Sequence, residues 1–143
     1  MPEKLDLSAL RNTIVSLQEG IGVVSDEHWF NAQSKAVKNT LIAGVIQNFE
    51  FVYELSVKMI RRQIEKGAAS PTEVDYSDFR DLLRTAAEKG LIAHVEAWFH
   101  YRKMRNITAH TYDHEKAKSV YAGTLAFIGD ARALLEALDA RNV

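Results

Sequence analysis

The sequence predicts an all-α fold, an antiparallel up-and-down bundle of about five helices, four of them long or medium and one short. Three observations predict it. Apolar residues recur at spacings of three and four through most of the 143 positions, which is the period of a helix with one buried face. No stretch alternates apolar and polar residues as a half-buried strand does. The chain has two prolines, Pro2 and Pro71, so long helices can run without a missing amide or a ring clash.

Leu7, Leu10, Ile14, Leu17, Ile21 and Val24 place a first amphipathic helix over about Leu7 to Val24. Ser25 to Ser34 loses that period and reads as a connection pinned to the core by Trp29 and Phe30. The second helix is the longest, from about Lys35 to Lys66, with Gly67 as its C-cap. Its stripe is Ile42, Val45, Ile46, Phe49, Val52, Tyr53, Met59 and Ile60. After the turn from Gly67 to Pro71, Ser77 is the natural N-cap of a short third helix that passes Phe79, Leu82, Leu83 and Ala86 and stops at Gly90. A fourth helix runs from about His94 through Met104 to near Ala109, with Val95, Trp98, Phe99 and Tyr101 on it. Asp113 then caps a fifth from His114 to about Arg141, with Val120, Tyr121, Leu125, Ile128, Leu134, Leu135 and Leu138 inward.

Residues 1–143 are sized for one domain with its own core. Helices of roughly 28 to 32 residues are each over ~40 Å long at 1.5 Å per residue, more than such a chain needs to cover its own core, and this points to self-association. There is no cysteine, which excludes disulfides, zinc fingers and thiol chemistry. No apolar run reaches the length of a membrane span, and the first residues lack the basic and apolar regions of a secretory signal. The expected location is therefore the cytoplasm. With 18 Lys and Arg against 19 Asp and Glu, the formal net charge is -1. A constitutive nucleic-acid binder is usually strongly basic, so RNA or a nucleotide would have to be met by a local basic site.

That local site is the segment from Tyr101 to His114, which gathers Arg102, Lys103, Arg105, Asn106, His110 and Tyr112. On a continuous helix Arg102, Asn106 and His110 form one stripe, whereas Arg105 and His110, five apart, point about 140° away from each other. Either the helix ends near Ala109, where Thr108 and Thr111 favour a break, or a second subunit completes the site. An arginine fork beside an imidazole suits a phosphodiester: the guanidinium neutralises phosphate oxygens while the imidazole moves protons near neutral pH. The competing interpretation is structural, with the three cations answering the helix dipole and His110 capping carbonyls.

Glu50 and Glu54 share a helix face, a like-charge pair that a cation must relieve. Without a neighbouring histidine they are a weak divalent-cation signature, and an arginine or lysine of the fourth helix is the better partner. His28, His94 and His100 lack ligand spacing, and His114, at a helix start, is a poor place for a cation and stays a weak candidate only through its proximity to His110. Neither a phosphate-cradling glycine loop nor a serine with an identifiable base occurs, so the sequence calls for no metal and no cofactor.

Leu41-Ile42-Ala43-Gly44, the run from Phe49 to Ser56 and above all Arg105-Asn106 followed by His110 and Tyr112 resemble the nucleotidyltransferase substrate-binding proteins, a branch of the HEPN superfamily of five-helix bundles. The resemblance extends over nearly the whole chain. It implies a partner of a minimal, separately encoded nucleotidyltransferase, paired with it as toxin and antitoxin. It further implies that Arg105 holds the scissile phosphate and that His110 acts as general acid or base across a homodimer interface, in a metal-independent RNase. Asn106 would orient one of them, and Tyr112 would be the residue that the partner nucleotidylates to silence the toxin. Arg102, Glu50 and Glu54 are further binding candidates. The alternative function is a non-catalytic subunit that binds a nucleotide or substrate for the nucleotidyltransferase; a helical scaffold with a dispensable motif is a third.

Overall fold

The computed structural model describes residues 4–67 and 78–142. Within them the secondary structure is helical: α1 (Ser8–Ser25), α2 (Glu27–Asn31), α3 (Lys35–Gly67), α4 (Phe79–Glu88), α5 (Val95–Ile107), a 3₁₀ turn (Thr108–His110) and α6 (His114–Arg141). Cross-helix contacts give the register. Asn48 of α3 reaches the Ser16 carbonyl of α1, Arg11 of α1 pairs with Asp139 of α6, and Tyr101 of α5 donates to the Asp130 carboxylate of α6. Each of those pairs of helices runs antiparallel; for α1 and α6, which no short connection joins, the sense follows from Arg11 meeting Asp139 while Ser25 meets Tyr121.

The ends of the helices are set by local chemistry. The Asp113 carboxylate accepts the amides of Glu115 and Lys116 and so opens α6. Ser77 lies outside the described residues; Asp78 caps α4 by accepting the amide of Asp81 at 2.8 Å. α4 ends in a Schellman turn: the Leu91 amide returns to the Ala86 carbonyl, the Gly90 amide to that of Ala87, and Gly90 takes the left-handed φ of 76°. Arg141 covers that turn by donating to the Lys89 carbonyl at 2.6 Å. At the other end of α6, the Asn142 side chain accepts the Leu5 amide and donates to the Leu5 carbonyl, closing the chain's two described ends on each other.

The core is one continuous cluster drawn from every helix except α2. At its centre the Phe127 ring meets Phe49, Trp98 and Tyr101 edge-to-face, with centroids 4.8, 5.8 and 4.8 Å away, which brings α3, α5 and α6 together. Two expectations are corrected. Leu125 is not inward but 50% exposed, because the buried stripe of α6 runs Val120, Thr124, Phe127, Ala131, Leu134, Leu138 and leaves Leu125 one residue out of phase. Of the two aromatics in the first connection, which folds as the short helix α2 capped by Asp26, Phe30 packs on the core while Trp29 stays 43% exposed. No described helix is long and apolar enough to cross a membrane.

Phe127→Ala is expected to destabilise the fold by about 3–5 kcal/mol, since it opens a cavity among three rings; urea denaturation followed by far-UV circular dichroism checks the value.

Candidate active site

α5 ends at Ile107, two residues before the expected stop, and the chain continues as the single 3₁₀ turn Thr108–His110. Thr108 makes the break hold. Its buried hydroxyl donates to the Arg105 carbonyl at 2.7 Å, satisfying a helix-end acceptor, and accepts Arg105 Nη1 at 3.3 Å. Its own carbonyl accepts the Thr111 hydroxyl at 3.1 Å. The sequence marks both threonines as helix-weakening; that Thr108 also positions the arginine needed the three-dimensional structure.

Arg105 is held from two sides. Nε and Nη2 both donate to Glu54 Oε1 of α3, at 3.0 and 2.7 Å, opposite the Thr108 contact. Three of the five guanidinium protons are thus engaged, which leaves two for a ligand oxygen. The Glu54 hydrogen bond, with further help from the charge of Glu50, holds the guanidinium's pKa above its ordinary value despite partial burial, so Arg105 remains a cation. Both ends of this pair are partly exposed, and such a pair contributes little stability. What it supplies is direction. Glu54 therefore pairs with the arginine and Glu50 acts on it through its charge, as expected of carboxylates in need of a cation. Below them, burial pushes the Tyr53 hydroxyl up to about 12, a rise that nearby Arg102 and Arg105 oppose.

The other motif residues divide into two groups. His110 and Tyr112 stand together on the turn, rings 6.2 Å apart and nearly perpendicular. His110 is exposed, and among the described residues its imidazole has no hydrogen-bond partner, which removes the carbonyl-capping interpretation. Tyr112 is 82% exposed. Arg102 and Asn106 lie on the stripe the helical spacing predicts and line a depression of about 370 Å³ on the outer face of α5. Arg102 stacks 4.4 Å above the Phe79 ring of α4. Asn106 has no hydrogen bond to Arg105 or His110. His28, His94, His100 and His114 are all exposed, and among the described residues no three His, Asp or Glu side chains come together to hold a metal ion.

Fold and site together define a helical bundle that presents an anchored arginine, a free imidazole and an exposed phenol around one broken helix end. The chain belongs to the family described as nucleotidyltransferase substrate binding protein like, whose model matches residues 5–140. It is 46% identical over 142 residues to a Haemophilus influenzae protein named "Probable ribonuclease HepT", covering 99% of this chain and 97% of that one. It superposes with a TM-score of 0.92 and 46% identity on a solved Haemophilus influenzae structure, presented as the fold of a substrate binding domain of a nucleotidyltransferase. That match covers 94% of this chain and 99% of the other. The resemblance noted from the motif is thereby confirmed at the level of family and fold.

Thr108→Val removes the hydroxyl that ties the turn to Arg105, and is expected to cost about 1 kcal/mol. A lower urea midpoint with an unchanged denaturant slope would verify it.

Proposed function

We propose that the protein is a metal-independent endoribonuclease, acting as a homodimer and silenced by a small nucleotidyltransferase with which it forms a toxin and antitoxin pair. The observation that carries this reading is the broken helix end, with Arg105 fixed by Glu54 and Thr108 while His110 stands free five residues on. Family membership and the name of the Haemophilus relative support it.

In the proposed reaction the 2′-hydroxyl of the substrate attacks the adjacent phosphorus, and the bond to the 5′-oxygen of the next nucleotide breaks. A neutral imidazole takes the hydroxyl proton and a protonated one returns a proton to the leaving oxygen, giving a 2′,3′-cyclic phosphate and a 5′-hydroxyl. A homodimer brings two copies of His110 and so supplies both roles. The two unengaged protons of Arg105 meet the non-bridging oxygens, where charge builds in the transition state. Asn106 is assigned an orienting role once a strand or a second subunit is in place. The exposed Tyr112 phenol is the group open to nucleotidylation, and a bulky anion there would repel a phosphate at the neighbouring imidazole.

The alternative of a non-catalytic subunit that binds a nucleotide or substrate draws on the description of the solved relative. Expression without the nucleotidyltransferase separates the two. The wild-type chain should arrest growth and cut RNA, and His110→Ala or Arg105→Ala should lower cleavage by at least about a hundredfold, the low end of what positioned acid–base groups contribute. A wild type that leaves RNA intact would instead favour the binding role. Tyr112→Phe should retain RNase activity but escape silencing, read by growth when both genes are expressed.

A further inference from the structure

The broken helix end sits at one edge of a wider basic surface. α4 carries Arg80 and Arg84 four residues apart, and both guanidinium groups lie over the Phe99 ring of α5, at 4.8 and 5.9 Å from its centroid. Arg102, one turn before Asn106, covers Phe79 in the same way from the opposite helix. Arg80, Arg102, Lys103 and Asn106 line the depression between α4 and α5 together with Phe99, and Glu96 is its acidic member. Among the described residues Arg80, Arg102 and Lys103 form no ion pair, and Arg84 has only Asp81, at 4.0 Å and well exposed. A chain of net charge -1 thus holds four cations along one seam that leads to the residue beside Arg105.

From this we infer that the α4–α5 seam is a track for single-stranded RNA, which takes phosphates beyond the scissile one and hands the strand through Arg102 and Asn106 to Arg105. The inference rests on the RNase reading for the direction of the strand. A guanidinium stacked on a ring is pre-ordered, keeps its N–H edge for phosphate oxygens and offers a flat face to an unstacked base. A basic groove lined with flat stacking faces is how single strands are held without sequence readout, and here the ring-backed guanidinium planes supply those faces. A mononucleotide would occupy only one end of the seam, and an acidic protein surface would have no use for the flat stacking faces.

The test uses the full chain carrying His110→Ala, so that bound RNA persists, with and without Arg80→Gln and Arg84→Gln. Binding of a labelled single strand of about 12 nucleotides, within the usual range of site sizes, is followed by fluorescence anisotropy across a salt series. The double substitution should weaken binding about tenfold or more and make the slope of log K against log salt shallower by about 1.4, at ~0.7 for each phosphate that is no longer neutralised. Arg80→Lys with Arg84→Lys should keep the slope. Melting curves establish that each variant is folded. Equal affinity and slope in the Gln variant would overturn the track, as would unchanged RNA binding with lost binding to the nucleotidyltransferase. Failure of the RNase reading shows elsewhere: the parent with His110 intact would then leave RNA uncut, whereas anisotropy still decides the track.

Discussion

The placement of the helix end that carries Arg105 depends on the packing around Phe127. Its edge-to-face contacts with Phe49, Trp98 and Tyr101 lock α5 between α3 and α6, and rings packed in this geometry gain beyond their buried area. Burial and the hydrogen bond donated to Asp130 raise the Tyr101 hydroxyl's pKa, so the phenol stays a neutral donor in that core. One turn further along α5, Met104 lies so close to α6 that a Cβ on Gly123 would stand 2.5 Å from its sulfur. The helix end is thereby drawn onto the bundle, and Arg105, the next residue, meets Glu54 on α3. An interior constraint has become the orientation of a surface cation.

Much of this was legible in the sequence because the period of apolar residues and the caps are local. Asp113 and Gly90 mark their helix ends through side-chain acceptance and a left-handed φ, and neither depends on what packs nearby. Errors arose where a single residue of phase decides burial. Leu125 and Phe127 lie two apart on α6, and a tolerant stripe admits either until neighbouring helices choose. Trp29 escaped for a related reason: aromatic content does not say which of two adjacent rings turns inward.

The site was legible by residue type and only partly by arrangement. The spacing of Arg105 and His110 called for either a break or a second subunit, and the spacing of Glu50 and Glu54 called for a cation; both follow from helical geometry alone. That the cation is Arg105, and that Thr108 holds its far side, depends on how α3 meets α5 across 51 positions of sequence. Arg80 and Arg84 gave no signal at all, since two arginines at spacing four on a short helix are an ordinary solvated face until Phe99 is placed beneath them.

The proposed dimer also has a physical argument of its own. Proton transfer and charge neutralisation at a phosphodiester gain most from groups removed from bulk water, where fixed dipoles and charges are weakly screened. In one copy His110 and Tyr112 stand in solvent, so the chemistry assigned to them lacks that advantage. A second copy laid over the turn would supply it and would bring a second imidazole. Phe51, 45% exposed on α3 and three residues before Glu54, is an apolar side chain that the single bundle leaves uncovered. Covering it would gain hydrophobic energy in the same step that dries the site, which ties assembly and catalysis to one surface. On that proposal a modification at Tyr112 would be an effective control: it would add charge and bulk where the second copy would close, and leave the buried framework around Phe127 untouched.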